Sequence, residues 1–128
     1  MNVFLDDTRV PRDILHDICK ENLEKLYQFG DWVIIRNYND FVKYITNEGI
    51  PDIISFDYDL GEDEAIALRK SGVSKKEARK YKKTVKSGYD CASWLCHYIT
   101  KNKLQHPICY VHSQSPEGIK KIKDLLKI

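Results

Sequence analysis

Four short apolar runs recur along the chain, and each ends in polar residues. They are apolar throughout instead of alternating and are rich in Val and Ile, which is typical of strands buried on both faces of a sheet. Proline introduces the third and fourth runs. The predicted strands are residues 2–5 (NVFL), 32–37 (WVIIRN), 52–56 (DIISF) and 108–111 (ICYV).

Apolar residues at helical spacing follow the predicted strands. A strand followed by a helix, repeated four times, predicts an α/β fold: an open, mainly parallel four-stranded sheet with helices on both faces. The chain 1–128 is interpreted as a single domain. The helical positions are Ile14, Ile18, Leu23, Leu26 and Tyr27; Phe41, Tyr44 and Ile45, ending at Gly49; Cys91, Ala92, Leu95, Cys96 and Ile99; and Ile119, Ile122, Leu125 and Leu126, behind an N-cap at Ser115.

Residues 62–86 interrupt this alternation of strands and helices, because they separate the third strand from the helix that should follow it. They predict a basic helical insertion of one or two short helices, split near Gly72, that covers the strand ends as a lid. The segment holds nine Lys or Arg and four Asp or Glu, a net charge of +5 in a chain of net charge +2. Such a segment favours an anionic partner, nucleic acid included, although a solvated charged helix is the commoner explanation. The predicted contacts are Arg79, Lys80, Lys82 and Lys83.

Composition sets the broad class of protein. With 42% hydrophobic and 31% charged residues, the chain is typical of a globular protein. The start MNVFLDD shows no basic leader followed by an apolar stretch, and the apolar runs are too short to span a bilayer. We expect a cytoplasmic protein with no membrane partner. The four cysteines form no CxxC pair, which argues against zinc and disulfides.

Acidic residues follow two of the strands at the edge where open parallel sheets bind ligands. Asp6 and Asp7 follow the first strand, and Asp57 and Asp59 follow the third. Crowded carboxylates repel one another unless a cation or protons compensate them. The four residues are therefore predicted to bind Mg²⁺ or Mn²⁺, hard ions that prefer oxygen ligands and also bind phosphate. Any one Asp taken alone is more often a turn former or an N-cap.

Four further residues are predicted to act on a phosphate group at this edge. Arg9 could clamp a phosphate, or simply pair with Asp7. His112 follows the fourth strand and is predicted to be a general acid or base, or else to cap the core. Ser113 could donate to a phosphate oxygen. Gly88 would let backbone N–H groups at a helix start approach an anion.

The helix that begins at Gly88 carries three aromatic residues. Tyr89, Trp94 and Tyr98 are spaced so that at least two of them pack on the core side. We therefore do not interpret them as a surface on which nucleic-acid bases stack.

Four strings of residues carry a family resemblance over nearly the whole chain: LDDTRVP, ISFDYDLG, SGYDCASWL and YVHSQSP. They resemble the receiver-like family described as cyclic-phosphate processing receiver domains. The chain also resembles response-regulator receivers, in which the matching positions Asp6, Asp7, Asp57 and Ser113 hold Mg²⁺, accept a phosphoryl group and sense it. Response regulators have a fifth strand ending in Lys, for which the residues after Ser113 leave no room.

The resemblance implies a metal-dependent phosphoesterase acting on cyclic phosphates, RNA 2′,3′-cyclic ends among them. Asp57 and His112 are then the catalytic residues, with Asp57 a metal ligand or, by the resemblance to receivers, a phospho-acceptor. The alternative is a non-enzymatic receiver-like module. Such a module would bind protein or RNA through the same edge and use the metal to order its loops.

Overall fold

The computed structural model describes residues 1–17 and 21–128, without the side chains of residues 16, 17, 21, 22, 62–64, 82 and 83. The described residues form four strands, six α-helices and one 3-10 helix. The strands are β1 (Asn2–Leu5), β2 (Trp32–Ile35), β3 (Ile53–Phe56) and β4 (Ile108–Val111). The helices are the 3-10 helix Pro11–Asp17, α1 (Glu21–Phe29), α2 (Tyr38–Glu48), α3 (Glu62–Lys70), α4 (Lys75–Thr84), α5 (Gly88–Asn102) and α6 (Pro116–Leu126).

The four strands form one sheet in the order β2-β1-β3-β4, and every pair is parallel. Leu5 pairs with Ile35 and with Phe56, and Phe56 pairs with Val111. All four strands therefore end at the same edge. The predicted α/β fold is confirmed, and the sheet is parallel throughout.

Alternate residues of the central strand β1 point to opposite faces of the sheet. Val3 and Leu5 belong to the larger core cluster, which also takes residues from α2, α5 and α6. Phe4 belongs to a smaller cluster with Ile14 of the 3-10 helix and Tyr27 of α1. Helices thus cover both faces, and β1 is buried between two apolar layers.

Two element boundaries differ from the prediction. Strand β2 ends at Ile35, because Asn37 caps α2: its side chain accepts the backbone N–H of Asp40 at 2.8 Å. The chain after β1 begins as a 3-10 helix before α1, and Ile18 lies outside the described residues. The predicted N-cap at Ser115 is confirmed, since its Oγ accepts the N–H of Gly118 at 3.1 Å.

The basic segment forms two helices, α3 and α4, joined by a turn in which Gly72 has a positive φ of 99°. Arg79 and Lys80 are exposed on α4, whereas the side chains of Lys82 and Lys83 lie outside the description. A lid over the strand ends stays a prediction. Among the described residues, no helix is both long and apolar enough to cross a membrane.

Candidate functional site

Asp6 lies just beyond β1 and is fully buried. Its Oδ1 accepts the backbone N–H groups of Thr8 at 3.0 Å and Arg9 at 2.9 Å. Its Oδ2 accepts from Arg9 Nε at 2.9 Å and from His112 Nε2 at 3.0 Å. Burial by itself would raise the pKa of Asp6, but these hydrogen bonds, that of His112 foremost, hold the pKa well below its usual range. Asp6 is a charged anchor for the loop that follows β1.

A second arginine holds this loop from the side of β2. Nη1 of Arg36 donates to the backbone oxygens of Asp6 at 3.1 Å and Arg9 at 2.7 Å. Arg36 was not predicted as a site residue, although a charged residue directly after the apolar run WVII was a visible signal. It fixes the loop that carries Arg9 against the end of the sheet.

A chain of hydrogen bonds runs from the smaller core cluster to Asp6 through His112. The buried ring of His112 stacks on Phe4, with ring centroids 4.3 Å apart. His112 Nδ1 lies 2.6 Å from Ser55 Oγ, and the same Oγ lies 2.6 Å from the hydroxyl of Tyr27. Every polar atom in this chain therefore has a partner.

The directions of these hydrogen bonds follow from the charges. Asp6 is ionised and only accepts, so His112 Nε2 carries a proton and donates it. Burial lowers the pKa of His112, so the ring is neutral and Nδ1 is an acceptor. Ser55 then donates to Nδ1 and accepts from Tyr27, because burial raises the pKa of Tyr27 to about 12 and keeps its hydroxyl protonated.

Both ring nitrogens of His112 are thus engaged within the protein. To act as the predicted general acid, His112 would have to withdraw its Nε2 proton from Asp6. Ser55 and Tyr27 were not predicted to support the site, and the signal available for Ser55 was a polar residue inside an apolar strand. The geometry makes these residues a support that holds the imidazole and, through it, the Asp6 carboxylate.

We predict that Ser55→Ala destabilises the protein by roughly 1–3 kcal/mol, because it leaves the buried Nδ1 of His112 and the Tyr27 hydroxyl without their shared partner. Urea unfolding measures the change. The matched control is Ser71→Ala, at an exposed serine whose Oγ donates to Leu68 O, where a change within about 0.5 kcal/mol is expected. Equal effects of the two substitutions would contradict the assigned hydrogen-bond chain.

The protein compensates the charge of Asp57 only in part. It is buried, and its Oδ1 accepts the N–H of Tyr58 at 2.8 Å, while Arg9 Nη2 lies 3.7 Å away. Burial and the negative charges of Asp6 and Asp7 raise the pKa of Asp57 from 3.8 to about 7. A cation next to Asp57 would therefore offset the electrostatic cost of ionising this buried carboxyl beside two other acids.

The carboxylates near Asp57 fit a divalent cation. Ligand atoms of Asp6, Asp57 and His112 all lie within 4.8 Å of one another, but the Asp6 oxygens and both nitrogens of His112 already form hydrogen bonds. Asp7 is buried close enough to shift the pKa of Asp57, and Asp59 lines the same pocket as Asp57. These oxygen donors are of the type that Mg²⁺ and Mn²⁺ prefer. Metal binding by the four predicted acids stays a prediction.

A pocket of about 150 Å³ opens beside Asp57. Ser113 lines it, and its Oγ accepts the N–H of Ser115 at 3.1 Å, which leaves the hydroxyl proton for another acceptor. The positive end of the α6 dipole lies at the same place. The lining residues are Thr8, Arg9, Asp57, Asp59, Ser113, Gln114 and Ser115. Acids, a guanidinium and a hydroxyl therefore meet in one phosphate-sized space.

Gly88 lies at this edge, where the structure shows a packing role for it. Its N–H donates to Tyr58 O at 2.7 Å, so it is not directed at an anion. A Cβ on Gly88 would lie 1.6 Å from the backbone oxygen of Asp57. The glycine lets the start of α5 touch the end of β3, and its predicted role in phosphate binding gains no support from this contact.

Comparison with known proteins adds one finding to this geometry. The family model described as the cyclic-phosphate processing receiver domain matches residues 1–128. No curated protein and no solved structure matches the chain significantly.

Proposed function

Because the chain belongs to the family of cyclic-phosphate processing receiver domains, we propose that it is a phosphoesterase that opens cyclic phosphates with the help of Mg²⁺ or Mn²⁺. One observation carries the proposal: Asp57, buried and with its pKa raised to about 7, lines the same small pocket as Arg9 and Ser113. In this proposal a site for a cation and a site for a phosphate group lie side by side. The cation would polarise a phosphoryl oxygen and lower the pKa of an attacking water.

The residues of the chain would position the phosphate. Asp7, Asp57 and Asp59 would hold the cation, and two of these acids, Asp57 and Asp59, line the pocket. The Arg9 guanidinium, which lies 3.7 Å from Asp57, would neutralise charge on the phosphate, and the Ser113 hydroxyl would donate to one of its oxygens. Water adds to phosphorus and gives up a proton to solvent, the bond from phosphorus to one ring oxygen breaks, and that oxygen takes up a proton from solvent. The product is a phosphate monoester with a free hydroxyl group.

In this proposal His112 and Asp6 position other groups. His112 holds the Asp6 carboxylate at 3.0 Å, and Asp6 holds the Arg9 side chain at 2.9 Å. The orientation of the guanidinium therefore depends on the buried chain that ends at Tyr27. The general-acid role predicted for His112 is replaced here by this positioning role.

The basic helices α3 and α4 support a second part of the proposal, namely that the cyclic phosphate is the end of an RNA strand. Arg79 of α4 lines a groove between α3 and α4 together with three other basic residues, Arg69, Lys70 and Lys75. These side chains form a positively charged rim, which favours a polyanionic strand.

We predict that binding of an RNA oligomer weakens steeply with salt. Fluorescence anisotropy at two salt concentrations measures this, and salt-insensitive binding would exclude a phosphate-backbone contact.

Phosphorus NMR of adenosine 2′,3′-cyclic monophosphate with protein and Mg²⁺ tests the proposed activity. We expect ring opening that requires the metal and that Asp57→Asn abolishes. The matched control is Asp31→Asn, at an exposed acid in the turn before β2, which should leave the rate unchanged. A wild-type protein that binds Mg²⁺ by calorimetry but opens neither the 2′,3′ nor the 3′,5′ ring would refute the enzyme and favour the receiver-like binding module.

A further inference from the structure

The phosphate pocket is too small for the rest of a substrate. Its volume of about 150 Å³ is below the roughly 300–1,000 Å³ of pockets that enclose small organic ligands. A cyclic phosphate attached to a larger group must therefore extend over the neighbouring surface. Asp57 and Asp59 line the phosphate pocket, and Tyr58, the residue between them in the sequence, lines a second cleft of about 580 Å³.

This second cleft, called here the tyrosine cleft, is lined by Tyr58, Tyr89, Lys121, Asp124 and Leu125. It combines two aromatic rings and an apolar side chain with polar groups, namely the two tyrosine hydroxyls, the Lys121 ammonium and the Asp124 carboxylate. Unstacked nucleobases are bound in this way, by stacking on aromatic rings and by hydrogen bonds to their polar edges. The side chains of the tyrosine cleft match that chemistry.

Tyr58 forms a fixed wall of the tyrosine cleft. Its ring lies against Gly118 of α6, where an added Cβ would be 2.4 Å from the ring Cγ. Lys121 Nζ lies 5.9 Å from the centroid of the same ring. The carbonyl oxygen of Tyr58 accepts the N–H of Gly88, which ties this wall to the start of α5.

Tyr89 differs from the other two aromatic residues of α5. Trp94 and Tyr98 stack on each other at 4.9 Å and pack against the larger core, which confirms that at least two of the three face inward. Tyr89 is 37% exposed and lines the tyrosine cleft. The third aromatic residue is thus available to a ligand.

We propose that the tyrosine cleft is a nucleobase subsite in which Tyr89 stacks on the base. This inference rests on the proposed function and narrows it, because the substrates are then nucleoside cyclic phosphates. Aromatic stacking accepts any base, since each base has a π face. The subsite should therefore discriminate weakly among the four bases.

Binding of two stable monoesters tests the subsite without any turnover. Adenosine 2′-monophosphate and glycerol 2-phosphate are titrated into the Mg²⁺-loaded protein, and amide NMR shifts give both affinities. We expect the nucleotide to bind about tenfold more tightly, with shifts at Tyr89 and Gly118, and Tyr89→Ala to remove the difference. Tyr89→Phe should preserve it. Phe29→Ala, which removes an aromatic ring that is 76% exposed at the end of α1, is the matched control.

The outcomes separate the subsite from the proposed activity. Equal affinity of the wild-type protein for the two monoesters, or a preference for the nucleotide that survives Tyr89→Ala, would overturn the subsite. Absence of ring opening would overturn the phosphoesterase and leave the binding result standing. Phosphate binding that Tyr89→Ala leaves intact shows that this variant is folded.

Discussion

Replacing Asp57 by asparagine is expected to stabilise the metal-free protein at pH 8 by as much as about 4 kcal/mol. The pKa of Asp57 is raised from 3.8 to about 7 in the fold. Between these values the folded state binds a proton that the unfolded state has lost, so stability falls as pH rises through this range and stays low above it. Asparagine carries no charge and avoids this loss. The two proteins should therefore be equally stable near pH 4 and differ most above pH 7.

Thermal unfolding with a chelator present measures this difference, which corresponds to a rise in Tm on the order of 10 °C at pH 8. Added Mg²⁺ should stabilise the wild-type protein more than the variant, because in the proposed site the ion binds the folded state through the Asp57 carboxylate. Asp31→Asn serves again as the control. A Tm difference that is the same at pH 4 and pH 8 would show that the Asp57 carboxylate is not the group that titrates.

Gly88→Ala is expected to destabilise the protein by about 3 kcal/mol or more and to disrupt the site. The added Cβ would lie 1.6 Å from the backbone oxygen of Asp57 and 2.8 Å from its carbonyl carbon. Neither atom belongs to a flexible side chain, so the start of α5 and the end of β3 must separate. The sign of the change in stability separates this clash from helix propensity, since Gly→Ala in an unobstructed helix stabilises the protein by about 1 kcal/mol.

Urea unfolding and Mg²⁺ titration of Gly88→Ala measure both effects. Gly61→Ala is the matched control: its φ is −116°, and the three atoms nearest to the added Cβ all belong to the Val85 side chain, at 3.2 to 3.3 Å. It should cost far less and leave the metal affinity unchanged. A Gly88→Ala protein as stable as wild type would show that the backbones do not approach as closely as described.

Much of the fold could be predicted because it depends on local patterns. The run NVFL is apolar on both faces of β1, and such a run is characteristic of a central parallel strand. The helix that follows Pro107 and β4 begins at Ser115 as predicted, because a serine cap acts within one turn. The length of β2 was overestimated, because Asn37 could continue a strand or cap a helix, and only the hydrogen bond to Asp40 decides between them.

The candidate site was predictable only in part. Asp6 and Asp57 could be placed at one edge, because parallel strands end together. The role of Ser55 could not be predicted, since it depends on a register that brings β3 beside β4 and aligns Oγ with His112. The exposure of Tyr89 depends likewise on the packing of α5, which spacing alone does not determine. Which polar groups already form hydrogen bonds within the protein depends on tertiary contacts, and the sequence does not show these contacts.

The central position of β1 has a consequence for the order in which the protein can fold. Asn2 pairs with Trp32 and with Ile53, and Ile53 pairs with Ile108. Sheets whose paired strands are far apart in the sequence form slowly, because the entropy of closing long loops is lost before the contacts between strands stabilise the chain. During synthesis β1 leaves the ribosome before β2 and β3. Its apolar residues therefore have no neighbouring strand to pair with until those strands follow. Of the four strands, β1 is therefore the one whose apolar residues spend the longest part of synthesis without any neighbour in the sheet.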